Sequence, residues 1–451
     1  MSDTAVDVRD ELSAALGSAV SFDPADLEEM RADRSGHLSA AAPLALVTAR
    51  GIEDVQATLR IASEHGIPVV PRGAGTGLAG GAIGGAGEIV LSTLGMTGIL
   101  EINADDQLAV VQPGILNENL NVALAPHGLW FAPDPASRAI STVGGNIATN
   151  AGGLLCAKYG VTREAVLGLK IVLADGRLMT LGHRTVKGVT GYDLTALLIG
   201  SEGTLGVIVE ATLKLHALPV GPMATIGAYF TSIERAAAAS AAITAARLRP
   251  AAMELIDQSA LAGIGEYLGL DLGSRGSYLL VQFDGAEEAE SAVAIIRALG
   301  GDAEITTDQA EGERLFAIRR EFHSAMTAKG TVLIEDVAVP RSQLPAMFAA
   351  ITQIEKKYGM VIPTVAHAGD GNLHPNFIFQ GSEVPSAVWD AADEMFLACL
   401  RLGGTLTGEH GVGILKRRWL RDELGDDQVT LQRELKHVFD PLNILNPGKV
   451  F

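Results

Sequence analysis

The chain has 451 residues, more than one hydrophobic core usually organises, so two or more domains are expected. Its formal net charge of −19 argues against nucleic acid as a partner, because neutralising phosphates requires clustered lysine and arginine. Two cysteines, Cys156 and Cys399, are too few for a disulfide scaffold and favour a reducing compartment.

The N-terminal residues 1–17 are acidic and amphipathic, and they lack the basic start and apolar run of a signal peptide. Helical spacing continues through 7–32 in two pieces that Pro24 divides. No apolar run in the chain reaches the roughly 18 residues that a membrane span requires. We therefore expect a cytoplasmic protein, with attachment to a membrane through a partner left open.

The glycine-rich stretch 71–87 organises the first half of the chain, and eight of its 17 residues are glycine. A predicted βαβ unit leads into it, with a strand, a helix and a strand at 43–48, 51–66 and 67–70. Residues 75–80 fit the dinucleotide motif G-x-G-x-x-G, but a strand at 88–92 follows where that motif requires a helix. We therefore predict a loop that binds a pyrophosphate through its backbone amides, rather than a Rossmann site or a flexible linker.

Two further stretches of small residues follow. Residues 132–160 are dense in glycine, hydroxyl and amide side chains and read as a long functional loop, with a plain surface loop as the alternative. Residues 200–206 form a third glycine-rich loop. Strands are predicted at 166–173, 178–181 and 207–215, with a helix at 194–199. One extended ligand that contains a pyrophosphate would explain all three loops.

The second half has a different composition beyond the Pro- and Gly-containing boundary 216–222. Predicted helices and strands alternate there, which indicates a second α+β domain over about 218–404. Its helices are expected at 233–248, 289–299 and 344–358, and its strands at 255–256, 277–283, 332–339 and 361–365.

The residues that predict chemistry lie in two glycine-rich loops of this half. His367 and His374 follow a predicted strand, and Glu409 precedes His410. Two histidines and a glutamate are a common set for a divalent metal with an open position, although locally hydrogen-bonded histidines are the alternative. A metal would lower the pKa of a bound alcohol, and His410 could then accept its proton.

Two arginines are candidates for binding a substrate carboxylate. Arg319 and Arg320 lie on a predicted helix, and a guanidinium binds a carboxylate through two parallel hydrogen bonds. One of them could take that role, with plain surface arginines as the alternative, which we favour for Arg320. The run 416–418 is interpreted as a solvated helix face.

Six motifs are spread over nearly the whole chain: PRGAGTGLAGGA, STVGGNIATNAGG, TGYDLTALLIGSEGTLG, HAGDGNLHPN, GEHGVG and DPLNILNPGKVF. Together they resemble the FAD-linked 2-hydroxyacid dehydrogenases, which include D-lactate dehydrogenases, the flavin subunit of bacterial glycolate oxidase and D-2-hydroxyglutarate dehydrogenases. The resemblance implies an α+β fold with a two-part FAD-binding domain of the vanillyl-alcohol-oxidase (PCMH) type at 1–217. An α+β cap domain at 218–404 and a C-terminal segment at 405–451 that returns to the flavin would follow.

The same resemblance implies which residues contact the cofactor. By motif they are Arg72, Gly73, Ala74, Gly75, Thr76, Gly77, Pro133, Thr142, Gly145, Asn146, Thr149, Glu202, Gly206, Ile208 and Asn446. Some relatives attach FAD covalently through a histidine of the first loop. Residues 71–87 contain no histidine, so we expect noncovalent FAD.

The family's metal ligands correspond to His367, His374 and Glu409, and its catalytic histidine corresponds to His410. Arg319 and Asn376 match its substrate-carboxylate residues, and Lys187 lies in a motif near its active site. We expect zinc, with manganese or iron as alternatives. Where the 2-hydroxyglutarate branch has a lysine for the distal carboxylate, this chain has Ile334, which favours a small monocarboxylic substrate.

The resulting hypothesis is oxidation of a small D-2-hydroxy acid, with D-lactate or glycolate favoured, to the 2-oxo acid. His410 takes the hydroxyl proton while a hydride passes to the flavin. The electrons then go to a quinone, a cytochrome, an electron-transfer flavoprotein or an iron–sulfur subunit. Three alternatives stay open: D-2-hydroxyglutarate dehydrogenase, an ether-lipid-synthase-like flavoenzyme and a flavin electron-transfer subunit. A homodimer is also left open.

Overall fold

The computed structural model describes residues 3–381 and 383–451. The chain divides into two compact units. Unit 1 comprises the described residues up to Gly152, together with 160–218 and 409–451. Unit 2 comprises 153–159 and 219–408. The domain limits expected from the sequence, 217/218 and 404/405, stay predictions, and each unit is described by itself.

The helices are α1 Asp3–Leu16, α2 Pro24–Glu29, α3 Ile52–His65, α4 Asn117–Leu124, α5 Val143–Thr149, α6 Cys156–Tyr159, α7 Leu194–Leu198, α8 Ile233–Ala245, α9 Gln258–Leu268, α10 Ala286–Ala298, α11 Gln309–Arg320, α12 Phe322–Thr327, α13 Leu344–Tyr358, α14 Ser386–Arg401 and α15 Leu420–Phe439. Non-helical torsions at Gly425 break α15.

The strands are β1 Val20–Ser21, β2 Ala45–Thr48, β3 Val69–Arg72, β4 Ile89–Ser92, β5 Ile99–Asn103, β6 Leu108–Val111, β7 Leu129–Trp130, β8 Val166–Val172, β9 Leu178–Gly182, β10 Val207–Lys214, β11 His216–Ala217, β12 Ala224–Phe230, β13 Ala252–Ile256, β14 Ser277–Phe283, β15 Asp302–Thr306, β16 Thr331–Ile334, β17 Val337–Ala338, β18 Thr364–His367 and β19 Asn372–Phe379.

The first sheet of unit 1 delivers the glycine-rich stretch. Its strand order is β1-β2-β4-β3, and both β2 and β3 run parallel to β4. Helix α3 joins β2 to β3, which confirms the predicted βαβ unit, and it ends where Gly66 adopts a left-handed φ of 62°. On its other edge β3 exchanges hydrogen bonds with the C-terminal segment, where Asn446 N–H donates to the Val69 carbonyl at 2.7 Å.

The second sheet of unit 1 is antiparallel, with strand order β5-β6-β10-β8-β9. It contains the predicted hairpin of β8 and β9. One expectation was wrong: 132–160 is not a continuous loop, because it contains α5 and α6. Its many glycines lower helix propensity, yet Thr142 caps α5 by accepting a hydrogen bond from Gly145 N–H, and Val143 and Ile147 bury its apolar face.

Unit 2 is built on one antiparallel sheet with strand order β15-β12-β14-β13-β18-β19-β16, and β17 also pairs with β19. The predicted strand 332–339 is two strands, β16 and β17, separated at Glu335 and Asp336. An apolar cluster from α9, α11 and α12 covers one face of the sheet, with Ile256, Phe316 and Val365 among its members. This covered face also carries the polar residues described below.

Asp257 fixes the start of α9 on this face. Its Oδ1 accepts hydrogen bonds from Ala260 N–H at 2.7 Å and from the Ser259 hydroxyl at 2.8 Å. Its Oδ2 accepts a hydrogen bond from Thr364 N–H at 2.9 Å, which ties β13 to β18. Burial raises the pKa of Asp257 from 3.8 to about 7 against these hydrogen bonds.

The raised pKa of Asp257 predicts a pH-dependent stability. Between pH 3.8 and about 7 the unfolded chain has lost this proton while the folded protein keeps it. The folded state therefore loses on the order of 1 kcal/mol per pH unit as pH rises through that window. We expect the difference in unfolding free energy between wild type and Asp257→Asn to fall from pH 5 to pH 7 in urea titrations. A difference that stays constant across that window would contradict the shifted pKa.

No helix among the described residues is long and apolar enough to cross a membrane.

Candidate active site

The turn 73–77 follows directly after β3 in unit 1 and offers a row of unused backbone donors. Among the described residues, no hydrogen bond uses the N–H groups of Gly73, Ala74, Gly75, Thr76 or Gly77. Gly75 has a φ of 66°, so successive amides can turn toward one point. Such a row is suited to an anionic group, most simply a phosphate.

Arg72, the last residue of β3, holds the shape of this turn. Its Nη1 donates to the Ala82 carbonyl at 2.6 Å, which closes the glycine-rich stretch back on itself. A Cβ added to Gly75 would lie 2.2 Å from Arg72 Nη2, so only glycine fits there without displacing the guanidinium. Burial lowers the pKa of Arg72, while Asp33 and Glu29 oppose that shift.

Helix α5 begins against the same turn. A Cβ on Gly73 would lie 2.4 Å from Thr142 Oγ1 and 3.7 Å from the Gly145 Cα. The first and second small-residue stretches of the sequence therefore meet within unit 1. The absence of side chains at Gly73 and Gly145 allows the turn and α5 to approach each other closely.

An amide network lies behind α5. Asn117 Nδ2 donates to the Pro133 carbonyl at 2.9 Å and to Asn146 Oδ1 at 3.2 Å. Asn146 Nδ2 donates to Ser141 Oγ at 3.1 Å, and Thr149 Oγ1 donates to the Gly145 carbonyl at 3.2 Å. Pro133 and Asn146 are thus joined by Asn117, which the sequence analysis did not single out. Since Asn117 lies within the unpredicted helix α4, its burial gave no signal in the sequence.

The third small-residue loop reaches the C-terminal segment through Glu202. Its carboxylate accepts hydrogen bonds from Val412 N–H at 2.7 Å and from Gly413 N–H at 2.9 Å. Burial raises the pKa of Glu202 to about 7, and the two N–H donors oppose that shift. A Cβ on Gly81 would lie 3.0 Å from Glu202 Oε2, so the first and third loops also adjoin.

Asn446 completes this part of unit 1. Its Nδ2 donates to the carbonyls of Gly81 and Glu202 at 2.9 and 2.8 Å. Its Oδ1 is buried and has no hydrogen-bond partner among the described residues. A buried acceptor without a partner in the protein is suited to a donor on a bound group. Gly206 and Ile208 lie behind these loops, where Ile208 belongs to the apolar core.

The strand register of unit 2 brings the two histidines of the HAGDGNLH motif together. The expectation that both lie in a glycine-rich loop was wrong, because His367 ends β18 and His374 lies within β19. In the β18–β19 pair Val365 is opposite His374, and Val365 and His367 share one face because they are two residues apart. The two imidazoles therefore point to the same face, with ring centroids 5.0 Å apart.

Glu254 is a buried carboxylate on this face that the sequence analysis missed. The β13–β18 register places it directly opposite His367, and it is fully buried. Its Oε1 lies 2.7 Å from His367 Nδ1, and its Oε2 accepts a hydrogen bond from Arg319 Nε at 2.8 Å. A signal existed: Glu254 stands between Met253 and Leu255 in an apolar strand, where a carboxylate requires partners.

Asn376 lies on the same face of β19, two residues beyond His374. Its Nδ2 donates to the His374 carbonyl at 2.9 Å, and its Oδ1 is buried without a hydrogen-bond partner among the described residues. The β16–β19 register places Ile334 directly opposite Asn376. Ile334 therefore presents an apolar side chain beside the polar group.

Asp336 fixes the end of unit 2 that leads to the GEHG motif. Its Oδ2 accepts hydrogen bonds from Thr407 Oγ1 at 2.6 Å and from Gly408 N–H at 3.0 Å. Asp336 Oδ1 lies 3.9 Å from His374 Nδ1. Glu409 and His410 are the next two residues of the chain and are half-buried. Glu409 directly follows Gly408, whose N–H is held by Asp336, and consecutive Cα atoms are about 3.8 Å apart.

Three basic residues differ in their solvent exposure. Arg320 is exposed and pairs with exposed Glu313, as expected for a surface residue. Lys416 is only 3% exposed, so the interpretation of 416–418 as a solvated face was wrong for that residue. Lys187 lies in the exposed loop between β9 and α7 in unit 1. Its role near an active site stays a prediction.

Comparisons with known proteins cover both halves of the chain. Residues 43–182 match the FAD binding domain model, and residues 222–450 match the model of the FAD linked oxidases, C-terminal domain. The chain is 42% identical to glycolate oxidase subunit GlcD of Bacillus subtilis strain 168, over 91% of this chain and 89% of that protein. It is 38% identical to the D-lactate dehydrogenase of Archaeoglobus fulgidus, over 88% of this chain and 89% of that protein.

A solved structure shows the same fold at low sequence identity. Substrate-bound p-cresol methylhydroxylase superposes with a TM-score of 0.82 at 17% identity, over 100% of this chain and 97% of that chain. The fold is therefore the α+β PCMH type that the sequence motifs implied.

Proposed function

Because this chain belongs to the FAD-linked oxidase family and is an FAD-dependent hydroxyacid oxidoreductase, we propose that it oxidises a small monocarboxylic D-2-hydroxy acid to the 2-oxo acid. The observation that carries the proposal is the polar face of the unit 2 sheet. There His367, His374 and Asn376 share one face with an apolar cluster, and Ile334 stands opposite Asn376. D-Lactate and glycolate are the favoured substrates.

The residues of unit 1 fit FAD. The unused amides of 73–77 offer donors for a pyrophosphate, and the unpartnered Oδ1 of Asn446 offers an acceptor. Bound noncovalently, FAD supplies the hydride acceptor of the reaction. Arg72 and Glu202 keep the loops in place through their backbone hydrogen bonds.

The sheet face that carries His367 and His374, here called the histidine face, supports a divalent metal. The proposed ligands are His367, His374 and Glu409, and zinc is favoured over manganese and iron. Such a metal would lower the pKa of the substrate hydroxyl. Arg319 would bind the substrate carboxylate through its two Nη groups, since its Nε already donates to Glu254. Asn376 would bind the same carboxylate, and His410 would accept the hydroxyl proton.

The electrons are proposed to leave for a quinone, a cytochrome, an electron-transfer flavoprotein or an iron–sulfur partner subunit. The substrate proposal is tested by adding D-lactate, L-lactate, glycolate and D-2-hydroxyglutarate in turn to the anaerobic FAD-loaded protein. Bleaching by D-lactate or glycolate is expected. Bleaching by D-2-hydroxyglutarate alone would assign the chain to that alternative. Bleaching by none would favour an ether-lipid-synthase-like enzyme or an electron-transfer subunit.

Ile334 gives a sharper prediction about substrate size. In Ile334→Lys an ammonium group would stand opposite Asn376, where it could pair with a second carboxylate. Because the new ammonium group could form a charge-assisted hydrogen bond with that carboxylate, we expect kcat/KM for D-2-hydroxyglutarate to rise about 10- to 100-fold relative to that for D-lactate. Thr331→Lys adds the same charge at an exposed position of β16 and serves as the control. An unchanged ratio in Ile334→Lys would mean that Ile334 does not face the substrate.

A further inference from the structure

We propose that Glu254 is a positioning residue that orients both the metal ligand His367 and the substrate-binding Arg319, an inference that rests on the proposed function. The carboxylate divides its two oxygens between them. Oε1 lies 2.7 Å from His367 Nδ1, and Oε2 lies 2.8 Å from Arg319 Nε. One side chain thus connects the group that would bind the metal to the group that would bind the substrate carboxylate.

The short distance to Oε1 fixes the tautomer of His367. A carboxylate oxygen accepts hydrogen bonds, so the proton of the neutral imidazole lies on Nδ1. The lone pair is then on Nε2, which is the atom that would bind a metal. A carboxylate behind a ligating histidine also fixes the ring orientation and makes the histidine a stronger ligand.

The bond to Oε2 orients Arg319 in a corresponding way. The side chain of Arg319 is 15% exposed and that of Glu254 is 0% exposed, so the ion pair is largely shielded from water. With Nε held by Glu254, the orientation of the planar guanidinium is restricted, and the end that carries the two Nη groups is the one proposed to bind substrate. This end is the one that binds a carboxylate through two parallel hydrogen bonds.

The backbone makes Glu254 a rigid support. It lies in the middle of β13, paired with Leu280 of β14 on one side and His367 of β18 on the other. Its neighbours on the same face, Ala252 and Ile256, are buried in the apolar cluster. A carboxylate in such surroundings is costly unless it is paired, and Arg319 supplies the opposite charge.

The test compares Glu254→Gln with a matched control in the FAD-loaded protein. A glutamine amide cannot accept a hydrogen bond at both positions, so one of the two interactions is lost in either orientation. We expect the Kd for zinc, measured by competition with a chelator, to rise about 10- to 100-fold, and the KM for D-lactate to rise. Asp257→Asn makes the same change at another hydrogen-bonded carboxylate of unit 2, whose partners are Ala260, Ser259 and Thr364. Its zinc Kd should equal that of the wild type.

Glu254→Asp keeps the charge but is too short to reach both partners, so an intermediate loss of zinc affinity is expected. It also carries the test if Glu254→Gln does not fold. Wild-type zinc affinity in both variants overturns this inference alone. A wild-type protein that binds none of zinc, manganese and iron overturns the proposed metal site and this inference with it. If Asp257→Asn weakens zinc binding as much as Glu254→Gln does, the loss reflects damage to the fold, and the positioning role of Glu254 is overturned.

Discussion

His410→Ala is expected to keep its FAD and to lose reduction by substrate. The residues expected to hold FAD in unit 1, including the turn 73–77 and α5, do not include the His410 imidazole. Its removal should therefore leave flavin content unchanged. Loss of a positioned proton acceptor predicts a rate of flavin reduction lower by about 10²- to 10⁴-fold. Anaerobic stopped-flow measurement of the flavin absorbance, with D-lactate in excess, gives this rate directly.

The control for this variant is His127→Ala, which removes an exposed histidine of the same unit. It should reduce its flavin at the wild-type rate. Slow flavin reduction in His410→Ala could come from lost proton transfer or from weaker substrate binding. A lower limiting rate of reduction, reached at the same D-lactate concentrations as in the wild type, indicates lost proton transfer. A wild-type limiting rate in His410→Ala would remove His410 from the chemistry.

His367→Ala should have the second large effect, through the metal. The variant deletes one of three proposed ligands and leaves Glu254 Oε1 without its donor. We expect elemental analysis to show less than a tenth of the wild-type metal content, with flavin reduction slower by about 10³-fold or more. Because all FAD-binding residues proposed above lie in unit 1, the flavin content should not change.

His323→Ala is the matched control, because His323 is an exposed histidine of α12 in the same unit. It should retain both metal and activity. Full metal content in His367→Ala would show that His367 is not a ligand, even if activity were lost. In that case the histidine face would have to act through hydrogen bonding alone.

The local elements were predictable because their apolar periodicity was strong. Helix α3 and strand β14 lie where the pattern placed them. The glycine-rich stretch was also correctly separated from a Rossmann turn, since β4 follows it without a helix. These predictions depend on residues close in the sequence, where periodicity and turn chemistry carry the information.

The site was only partly predictable, because its order comes from strand register. His367 and His374 were recognised, but as loop residues, since the glycines between them obscured the ends of β18 and β19. Glu254 precedes His367 by 113 residues, and only the pairing of β13 with β18 brings them together. Lys416 was misjudged for a similar reason: its neighbours in the sequence are charged, but its environment is buried.

Metal-assisted oxidation is tested most directly by anaerobic reduction of the purified flavoprotein with D-lactate, measured in one preparation before chelation, after chelation and after zinc is restored. We predict rapid bleaching of the flavin, a large loss of that bleaching when the metal is removed while FAD stays bound, and recovery on adding zinc. Bleaching at the same rate in the chelated protein, with elemental analysis confirming that the metal is gone, would contradict the metal-assisted oxidation proposed here.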